Sequence, residues 1–263
     1  MYKVAIVTGG SSGIGRAVAH SLAGSGVRVY EFSRRDCSDE TITHMGVDVT
    51  DEQAVIDAVQ SIYETENSID ILVNCAGFGI SGAVEFTKSE DAKRQLEVNF
   101  FGTVNCTKAV LPYMRNKHKG RIVCVSSVAG PIPIPFQTYY SVSKAAINSY
   151  VMALANEVRP YGISVCAVQP GDIASGFTDA RAKSYDGDKE YGGRIARSVK
   201  VMEKDEQNGM KPEKAGRYIA KLALKSKVKP LYAIGFVYKA FCVIMKILPC
   251  RLSNYLIGQL YAK

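Results

Sequence analysis

The chain has 263 residues, a formal net charge of +8, 47% hydrophobic residues and 22% charged residues. This length and balance are typical of a soluble globular protein that buries a core without disulfide staples. The seven cysteines are scattered, odd in number and without Cys-x-x-Cys spacing. We therefore expect free thiols, no metal site and a reducing, cytoplasmic location with no secretory leader. The three histidines lie far from any nucleophile motif, which argues against a Ser-His-Asp hydrolase.

The positive charge is concentrated near the C-terminus. Residues 197–263 carry 14 Lys and Arg against 4 Asp and Glu, whereas the remaining residues carry 19 against 21. Basic regions occur in nucleic-acid-binding proteins, but no aromatic reading surface or nucleic-acid motif accompanies this one. We therefore expect no nucleic-acid partner.

The first predicted strand, residues 4–7, leads into a glycine-rich turn and then into a helix that starts near Gly13. Gly9, Gly13 and Gly15 permit a tight turn and a close backbone approach. The N-terminus of the helix directs free N–H groups and a positive dipole end at the turn, which suits a phosphate group. The Gly-x3-Gly-x-Gly spacing differs from the commoner dinucleotide fingerprint. Its position between a strand and a helix favours a nucleotide site over a plain connection.

Strands and helices alternate along the rest of the chain. Apolar runs predict strands at residues 4–7, 27–32, 45–49, 69–73, 121–125, 163–168 and 231–234, and helical periodicity predicts helices near 14–24, 51–65, 100–117, 139–159 and 212–225. This order is typical of parallel strands with crossover helices. No linker or charge run divides the chain. We predict an α/β fold over residues 1–263, a single domain with a doubly wound parallel sheet of about seven strands and a C-terminal helical extension.

One long segment, residues 172–210, interrupts the alternation and lacks a clear strand. It follows the sixth predicted strand, and ligands of open α/β sheets bind outside the carboxyl ends of the strands. Segments of this length are usually functional or mobile. We interpret it as a substrate lid; a plain surface insertion is the alternative.

The C-terminal tail, residues 236–263, contains two amphipathic patterns. In the first, Lys239 and Lys246 lie opposite an apolar stripe of Val237, Phe241, Ile244, Met245 and Leu248. The second has Leu252, Tyr255, Leu256 and Leu260. Internal charges and short apolar runs argue against a transmembrane span. Three interpretations stay open: a helix pair that packs on the domain or at a subunit interface, a lid over a hydrophobic pocket, and peripheral attachment to a membrane.

Candidate catalytic residues follow the fifth predicted strand. Tyr140 and Lys144 open a long helix four residues apart, so their side chains share one face. A phenol has an ordinary pKa of about 10, and a nearby cation lowers it towards the range of proton exchange at neutral pH. Ser127 ends the preceding strand, where its hydroxyl could donate to a carbonyl oxygen. The alternatives are an exposed helix face and a serine that merely ends a strand.

These motifs resemble those of the short-chain dehydrogenase/reductase family across essentially the whole chain. The matches, in family order, are Thr8-Gly9-x3-Gly13-x-Gly15, Asn74-Cys75-Ala76-Gly77, Asn99, Ser127 with Tyr140-x3-Lys144, and Pro170-Gly171. The resemblance implies a Rossmann-like fold and a nicotinamide-dependent oxidoreductase. Cys75 departs from the family pattern, in which a second asparagine is common at this position.

The resemblance also implies the roles of individual residues. Tyr140 would be the general acid or base, Ser127 would hold the substrate oxygen, and Lys144 would lower the pKa of Tyr140 and hold ribose hydroxyls. Asn99 would position a water that links Lys144 to solvent. The expected cofactor-binding residues are Gly9, Ser11, Ser12, Gly13, Ile14, Gly15, Ser33, Arg34, Arg35, Asp48, Val49, Asn74, Ala76, Gly77, Tyr140, Lys144, Pro170, Gly171 and Ile173. Of these, Pro170, Gly171 and Ile173 would flank the nicotinamide.

The end of the second predicted strand indicates the cofactor. Ser33 takes the place of the acid found in NAD-dependent relatives, and Arg34 and Arg35 follow it. Guanidinium groups suit a 2′-phosphate, so we predict NADP(H). Strand alternation should direct Glu31 away from the ribose, while Asp48 would meet the adenine amino group, as in similar proteins.

The lid and the tail resemble those of family members that act on steroids, retinoids and other lipid-like compounds. We therefore predict NADP(H)-dependent interconversion of a secondary alcohol and a ketone on a small hydrophobic substrate. The alternatives are a reductase of 3-oxoacyl thioesters or small carbonyls, and a non-catalytic NADP(H)-sensing regulator. The resemblance further implies a homodimer or homotetramer joined through the helices near 100–117 and 139–159.

Overall fold

The computed structural model describes residues 2–37 and 40–263. The strands within them are β1 (Val4–Thr8), β2 (Arg28–Ser33), β3 (Ile42–Gly46), β4 (Ile71–Asn74), β5 (Ile80–Ser81), β6 (Gly120–Val125), β7 (Ile163–Gln169), β8 (Ala182–Lys183) and β9 (Leu231–Ala233). Among these residues seven strands form one parallel sheet in the order β3-β2-β1-β4-β6-β7-β9, and β5 pairs with β8 separately.

Helices cover both faces of the large sheet. They are α1 (Gly13–Ala23), α2 (Glu52–Glu66), α3 (Ser89–Leu96), α4 (Gly102–Asn116), α5 (Thr138–Glu157), α6 (Phe177–Ala180), α7 (Arg194–Gln207), α8 (Pro212–Leu224), α9 (Phe236–Ile247) and α10 (Cys250–Tyr261). A π-helical turn over Glu97–Phe101 joins α3 to α4.

The β1 strand shows why both faces are covered. Val4 and Ile6 pack into the cluster on the side of α2, α4 and α5, whereas Ala5 and Val7 pack into the cluster on the side of α1 and α8. Successive side chains of a strand point to opposite faces, so a strand buried on both sides is a continuous apolar run. The predicted α/β fold with a doubly wound sheet of seven strands is confirmed.

The order of strands reverses next to β1. The chain adds β2 and β3 on one side of β1, and β4, β6, β7 and β9 on the other. This reversal opens a crevice at the carboxyl ends of β1 and β4, where open sheets bind ligands. The Thr8 hydroxyl joins the two ends, because it accepts from the N–H groups of Cys75 and Ala76, each at 3.0 Å.

The third strand lies three residues earlier than predicted. The prediction was 45–49, but β3 pairs with β2 from Ile42↔Val29 to Gly46↔Ser33. Beyond this point the chain turns, because Asp48 accepts hydrogen bonds from the backbone N–H and the hydroxyl of Thr50. Residues 47–49 therefore leave the sheet and line the crevice.

The lid segment has more regular structure than predicted. It contains α6, the short strand β8 and α7, and α7 buries Ile195, Val199 and Met202. The β8 strand pairs with β5, and this pairing fixes the lid to the chain that follows β4. The two helices were missed because their apolar positions are few and separated by charged residues.

The tail packs on the rest of the molecule. Cys242 of α9 and Ile257 of α10 join Ile132 in a small buried cluster. The guanidinium groups of Arg194 and Arg197 donate to the backbone carbonyls of Ala262 and Lys263, at 2.6 Å and 3.0 Å. The tail is therefore attached to both the loop between β6 and α5 and the lid. Of the part of the chain described, no helix is long and apolar enough to cross a bilayer.

Candidate active site

The glycine turn between β1 and α1 takes the conformation that its sequence predicts. Gly9 and Gly13 have φ angles of 67° and 53°, in the left-handed region that favours glycine. A Cβ atom on Gly15 would lie 2.2 Å from the carbonyl oxygen of Gly9. The turn and the start of α1 face a cavity of about 930 Å³, lined here by Gly9, Ser11, Ser12, Gly13, Ile14 and Gly15.

The same cavity extends to the ends of β2 and β3. Ser33, Arg34, Arg35, Asp48 and Val49 line it. The Arg34 side chain is 69% exposed, and its guanidinium lies 3.9 Å from the Asp48 carboxylate. Burial acts to raise the pKa of Asp48, but hydrogen bonds from Thr50 and the charge of Arg34 outweigh it and hold this pKa below its usual value. This end of the cavity therefore combines the Asp48 carboxylate with the guanidinium groups of Arg34 and Arg35, and Arg94 also lines the cavity and acts on Asp48.

Glu31 is buried behind this wall and does not line the cavity, as strand alternation predicts. It accepts hydrogen bonds from the Ser33 hydroxyl at 3.0 Å and the Cys37 thiol at 2.8 Å, and it pairs with His44. The Glu31, Cys37 and His44 donor atoms lie within 4.8 Å of one another. The sequence did not reveal this cluster, because two strands and a loop contribute to it.

The candidate catalytic groups meet where β6 ends. Lys144 is buried, and its Nζ atom donates to the carbonyl oxygen of Val125 at 2.9 Å. The same Nζ lies 5.6 Å from the centre of the Tyr140 ring. Ser127, Tyr140 and Lys144 all line the cavity. The structure therefore brings together the three groups that the sequence proposed from the Ser127 position and the Tyr-x-x-x-Lys spacing.

Burial controls the proton affinities of these groups. It raises the pKa of Tyr140 to about 12, although a hydrogen bond with the Ser127 hydroxyl acts in the opposite direction. It lowers the pKa of Lys144 to about 8. The expectation that the ammonium would lower the pKa of Tyr140 is not met in this structure, because loss of solvent outweighs the favourable interactions. At neutral pH the phenol keeps its proton.

Asn99 lies behind the cavity wall instead of lining it. It is buried in the π-helical turn, and its amide accepts from the Phe78 N–H at 3.0 Å and donates to the Phe78 carbonyl at 3.0 Å. Its amide nitrogen also donates to the Ser143 hydroxyl at 3.1 Å. A Cβ atom on Gly77 would be 3.1 Å from the Asn99 oxygen and 3.7 Å from Lys144 Nζ. Asn99 therefore fixes the loop in front of Lys144, and its role in a proton relay stays a prediction.

Asn74 differs from its expected position at the cofactor. Its side chain is buried and does not line the cavity. Its amide donates to the Thr107 hydroxyl of α4 at 3.3 Å. Because side chains alternate along β4, this position points into the helical layer. The neighbouring Ala76 and Gly77 do line the cavity.

The chain after β7 forms another wall. Pro170, Gly171 and Ile173 line the cavity, and the Pro170 carbonyl accepts from the Val128 N–H at 3.0 Å. A Cβ atom on Gly171 would lie 2.2 Å from the ring of Tyr238. Only glycine fits between this wall and α9.

The lid and the tail supply cavity residues that sequence reasoning did not assign. The Phe177 ring centre lies 5.6 Å from that of Tyr140. Glu206 of α7 accepts from the Thr178 hydroxyl at 2.7 Å and pairs with the buried Arg181. No local signal marks such positions, because the lid and tail reach Tyr140 only through the tertiary fold. The residues from these two segments that line the cavity include Asp172, Phe177, Ala180, Met202, Glu206 and Tyr261.

The comparison with known proteins identifies a family for this chain. The sequence model of the short chain dehydrogenase family matches residues 3–186. The chain belongs to the short-chain dehydrogenase/reductase family. A 3-ketodihydrosphingosine reductase of Bacteroides thetaiotaomicron is 41% identical to it over 243 residues, which covers 89% of this chain and 90% of the relative.

Solved structures of similar proteins share the fold of this short-chain dehydrogenase/reductase. A short-chain dehydrogenase from Streptomyces avermitilis matches with a TM-score of 0.85 and 29% identity, over 97% of this chain and 96% of that one. The protein ElxO, described with NADP bound, matches with a TM-score of 0.77 and 25% identity, over 91% of this chain and 100% of that one.

As a family member, the protein is an oxidoreductase that acts on a CH–OH group or a carbonyl with a nicotinamide cofactor. The residues present fit such a dinucleotide, because one cavity connects the glycine turn, where a Cβ atom on Gly9 or Gly15 would clash, with the arginines after β2 and with Tyr140. The turn would hold the pyrophosphate and the wall at Gly171 would hold the nicotinamide. When bound there, the cofactor supplies or accepts a hydride.

Proposed function

We propose that this protein is an NADP(H)-dependent reductase of a ketone on a lipid-like substrate, which it converts reversibly to the secondary alcohol. The observation that carries the proposal is the meeting of Ser127, Tyr140 and Lys144 in one cavity with the Arg34–Arg35 pair. This arrangement favours an enzyme over a non-catalytic sensor, because a sensor needs no proton donor beside the nicotinamide.

The arginines support NADP(H) over NAD(H). Arg34 and Arg35 line the cavity where the ribose end of a dinucleotide would lie, and both are exposed. A 2′-phosphate needs hydrogen-bond donors and positive charge, which guanidinium groups supply together. The one carboxylate that β2 carries, Glu31, does not face this wall, since it is buried among Ser33, Cys37 and His44.

The protonation states support reduction of a carbonyl. Tyr140, whose pKa is about 12, holds its proton at neutral pH and donates it to the carbonyl oxygen as this oxygen gains charge. The Ser127 hydroxyl donates a hydrogen bond to the same oxygen. With the hydride from NADPH and the proton from Tyr140, the ketone becomes an alcohol and Tyr140 becomes a phenolate that solvent reprotonates. Lys144, charged below about pH 8, stabilises that phenolate.

The substrate end of the cavity favours an amphiphile with a cationic head. Phe177, Met202 and Ile134 give it apolar walls, and Asp172 and Glu206 place two carboxylates there. Glu206 is paired with Arg181, whereas Asp172 accepts a hydrogen bond only 2.5 Å long from the neutral Tyr238 hydroxyl. An ammonium group close to the ketone of the substrate would give the Asp172 carboxylate a cationic partner. The Bacteroides relative is named for 3-ketodihydrosphingosine, a long-chain amino ketone of this kind.

The test is NADPH oxidation with 3-ketodihydrosphingosine, with a ketone of equal chain length that lacks the amine, and with short ketones. We expect the amino ketone to be the best substrate. Tyr140→Phe should reduce the rate of its reduction by roughly a hundredfold or more.

Asp172→Asn tests the recognition of the amine. It should lower kcat/KM for the amino ketone by about tenfold, whereas kcat/KM for the neutral ketone should stay within about twofold of wild type. Failure of the wild type to oxidise NADPH with any ketone would favour the sensor. A Tyr140→Phe variant as fast as wild type would refute the assignment of the proton donor.

We propose a homodimer or homotetramer built on α4 and α5, working in the cytoplasm. Phe101 at the start of α4 and Val142 and Met152 of α5 are large apolar side chains left 45–47% exposed. Free thiols at all seven cysteines support a reducing compartment. Light scattering of the full chain would measure the oligomeric state, and a monomer at micromolar concentration would contradict this part of the proposal.

A further inference from the structure

The α9 helix is apolar on two opposite faces. Its inner face packs Phe241, Cys242 and Met245 against the cluster around Ile132. Its outer face leaves Phe236 87% exposed and Ile247 78% exposed. An amphipathic helix of a soluble domain normally presents polar residues to solvent. The apolar stripe predicted from the sequence combined residues of both faces, because Val237 and Ile244 lie on the outer face and Phe241 and Met245 on the inner face.

The α10 helix, which follows the Leu248–Pro249 link, also exposes apolar side chains. Tyr255 and Leu260 are more than half exposed, and Ile257 is the position that packs inward. We call the exposed apolar side chains of α9 and α10 the C-terminal apolar face. Monomeric soluble proteins rarely expose so many large apolar side chains in so short a segment, which indicates a docking surface. Its principal members are Phe236, Val237, Val243, Ile247, Tyr255 and Leu260.

The charged residues of α9 and α10 themselves are all basic. The fifty residues after Glu213 contain ten Lys and Arg and no Asp or Glu. Lys239 and Lys246 are exposed on α9, on the edge of its outer face, and Arg251 is exposed at the start of α10. An apolar face bordered by basic residues complements a lipid bilayer with anionic head groups.

We propose that α9 and α10 dock the protein on the surface of a bilayer that contains anionic lipid, with the C-terminal apolar face inserted at the level of the head groups. A second copy of the chain is the weaker occupant, because a two-fold contact would bring two basic segments together with no acidic residue in either. The inference does not depend on the reaction proposed above.

The docking surface lies directly behind the roof of the cavity. Tyr238 of α9 is in contact with Gly171 and donates to Asp172, and Tyr261 of α10 lines the cavity. The helices that meet the bilayer on one side therefore cover the candidate active site on the other.

The experiment is co-sedimentation of the full-length protein with phosphatidylcholine vesicles, with and without phosphatidylglycerol. We expect binding to the anionic vesicles at least about tenfold tighter than to the neutral ones. Phe236→Ser with Ile247→Ser should abolish it. Ile56→Ser, a change at a 39% exposed apolar residue of α2, is the matched control and should bind as wild type. Lys239→Glu with Lys246→Glu should weaken binding about twentyfold or more.

Three results would overturn the proposal. One is equal sedimentation of wild type and the Phe236→Ser, Ile247→Ser variant when circular dichroism shows both folded. Another is equal binding to neutral and anionic vesicles. The third is loss of a solution dimer in that variant with no vesicle binding by the wild type, which would assign the face to a second copy. Vesicle binding without NADPH oxidation would contradict the proposed function alone.

Discussion

At the residue scale, the decisive pair is Tyr140 and Lys144. Their spacing on one helix predicts that they face the same way, and the structure places the ammonium 5.6 Å from the phenol ring. Their proton affinities depend on burial, which no spacing reveals. Burial moves the two pKa values in opposite directions, to about 12 for Tyr140 and about 8 for Lys144. The phenol is thereby a proton donor at neutral pH.

This pair gives ketone reduction a defined pH dependence. The Lys144 ammonium is present below its pKa of about 8 and is lost as the pH rises through that value. We expect kcat/KM for ketone reduction to fall above about pH 8, with no limb from Tyr140 in this range because its pKa is about 12. In Lys144→Arg the guanidinium stays charged, so the residual activity should lose that limb. A pH profile that is the same in both proteins would contradict the assignment.

The preference for NADPH over NADH also depends on individual residues. Replacing Arg34 and Arg35 by Ala removes their guanidinium groups from the ribose end of the cavity and leaves Arg94 in place. We expect the affinity for NADPH to fall by roughly tenfold or more, while the affinity for NADH changes by less than about threefold. Fluorescence titration with each nucleotide measures both constants. An unchanged NADPH preference would mean that other groups hold the 2′-phosphate.

At the element scale, some positions follow from local sequence, whereas others depend on which segments pair or pack together. The β1–α1 turn was predictable, because glycine spacing and φ preference are local properties. The position of β3 was not, since its pairing with β2 decides which of residues 42–49 remain in the sheet. The exposed apolar face of α9 could not be predicted either. Apolar residues occur on both faces of this helix, so their spacing does not show which face packs on the protein.

The glycine turn allows a test with a matched control. In Gly15→Ala the new Cβ atom would lie 2.2 Å from the Gly9 carbonyl, whereas in Gly258→Ala on α10 it would have no neighbour within 4 Å. We expect Gly15→Ala to cost about 1–3 kcal/mol of unfolding free energy and to weaken cofactor binding. Gly258→Ala should be neutral or stabilise by up to about 1 kcal/mol. Urea denaturation and nucleotide titration measure both effects. If the two variants had equal free energies of unfolding, the β1–α1 turn would have to accept the new Cβ atom at residue 15 without strain.

At the scale of the whole molecule, two apolar layers hold the sheet between its helices. Alternate residues of β1 pack into different layers, so this central strand contributes to both apolar cores. The lid and the tail then close over the carboxyl edge, where Arg194 and Arg197 hold the last carbonyl groups of the chain. The cavity depends on this closure, because its substrate wall comes from segments remote in sequence from Tyr140.

The layer on the side of α2, α4 and α5 can be tested at Ile6, which is fully buried. Ile6→Ala leaves a cavity in a close-packed layer, so we expect a loss of about 2–5 kcal/mol in unfolding free energy. Val84→Ala, at a residue 50% exposed, serves as the control and should stay within about 0.5 kcal/mol of wild type. Urea denaturation at neutral pH compares the three proteins. A loss below 1 kcal/mol at Ile6 would mean that this layer collapses to fill the space.

The α/β fold, the glycine turn and the positions of Ser127, Tyr140 and Lys144 could be predicted from the sequence, because hydrophobic period, φ preference and helical spacing act between near neighbours. Three features could be seen only in the folded chain: Asn74 points into the helical layer, Glu206 and Tyr261 reach the cavity, and α9 turns an apolar face to solvent. Those outcomes depend on which distant segments come into contact. Such contacts form when apolar surface is buried across the whole chain, and no local pattern contains them.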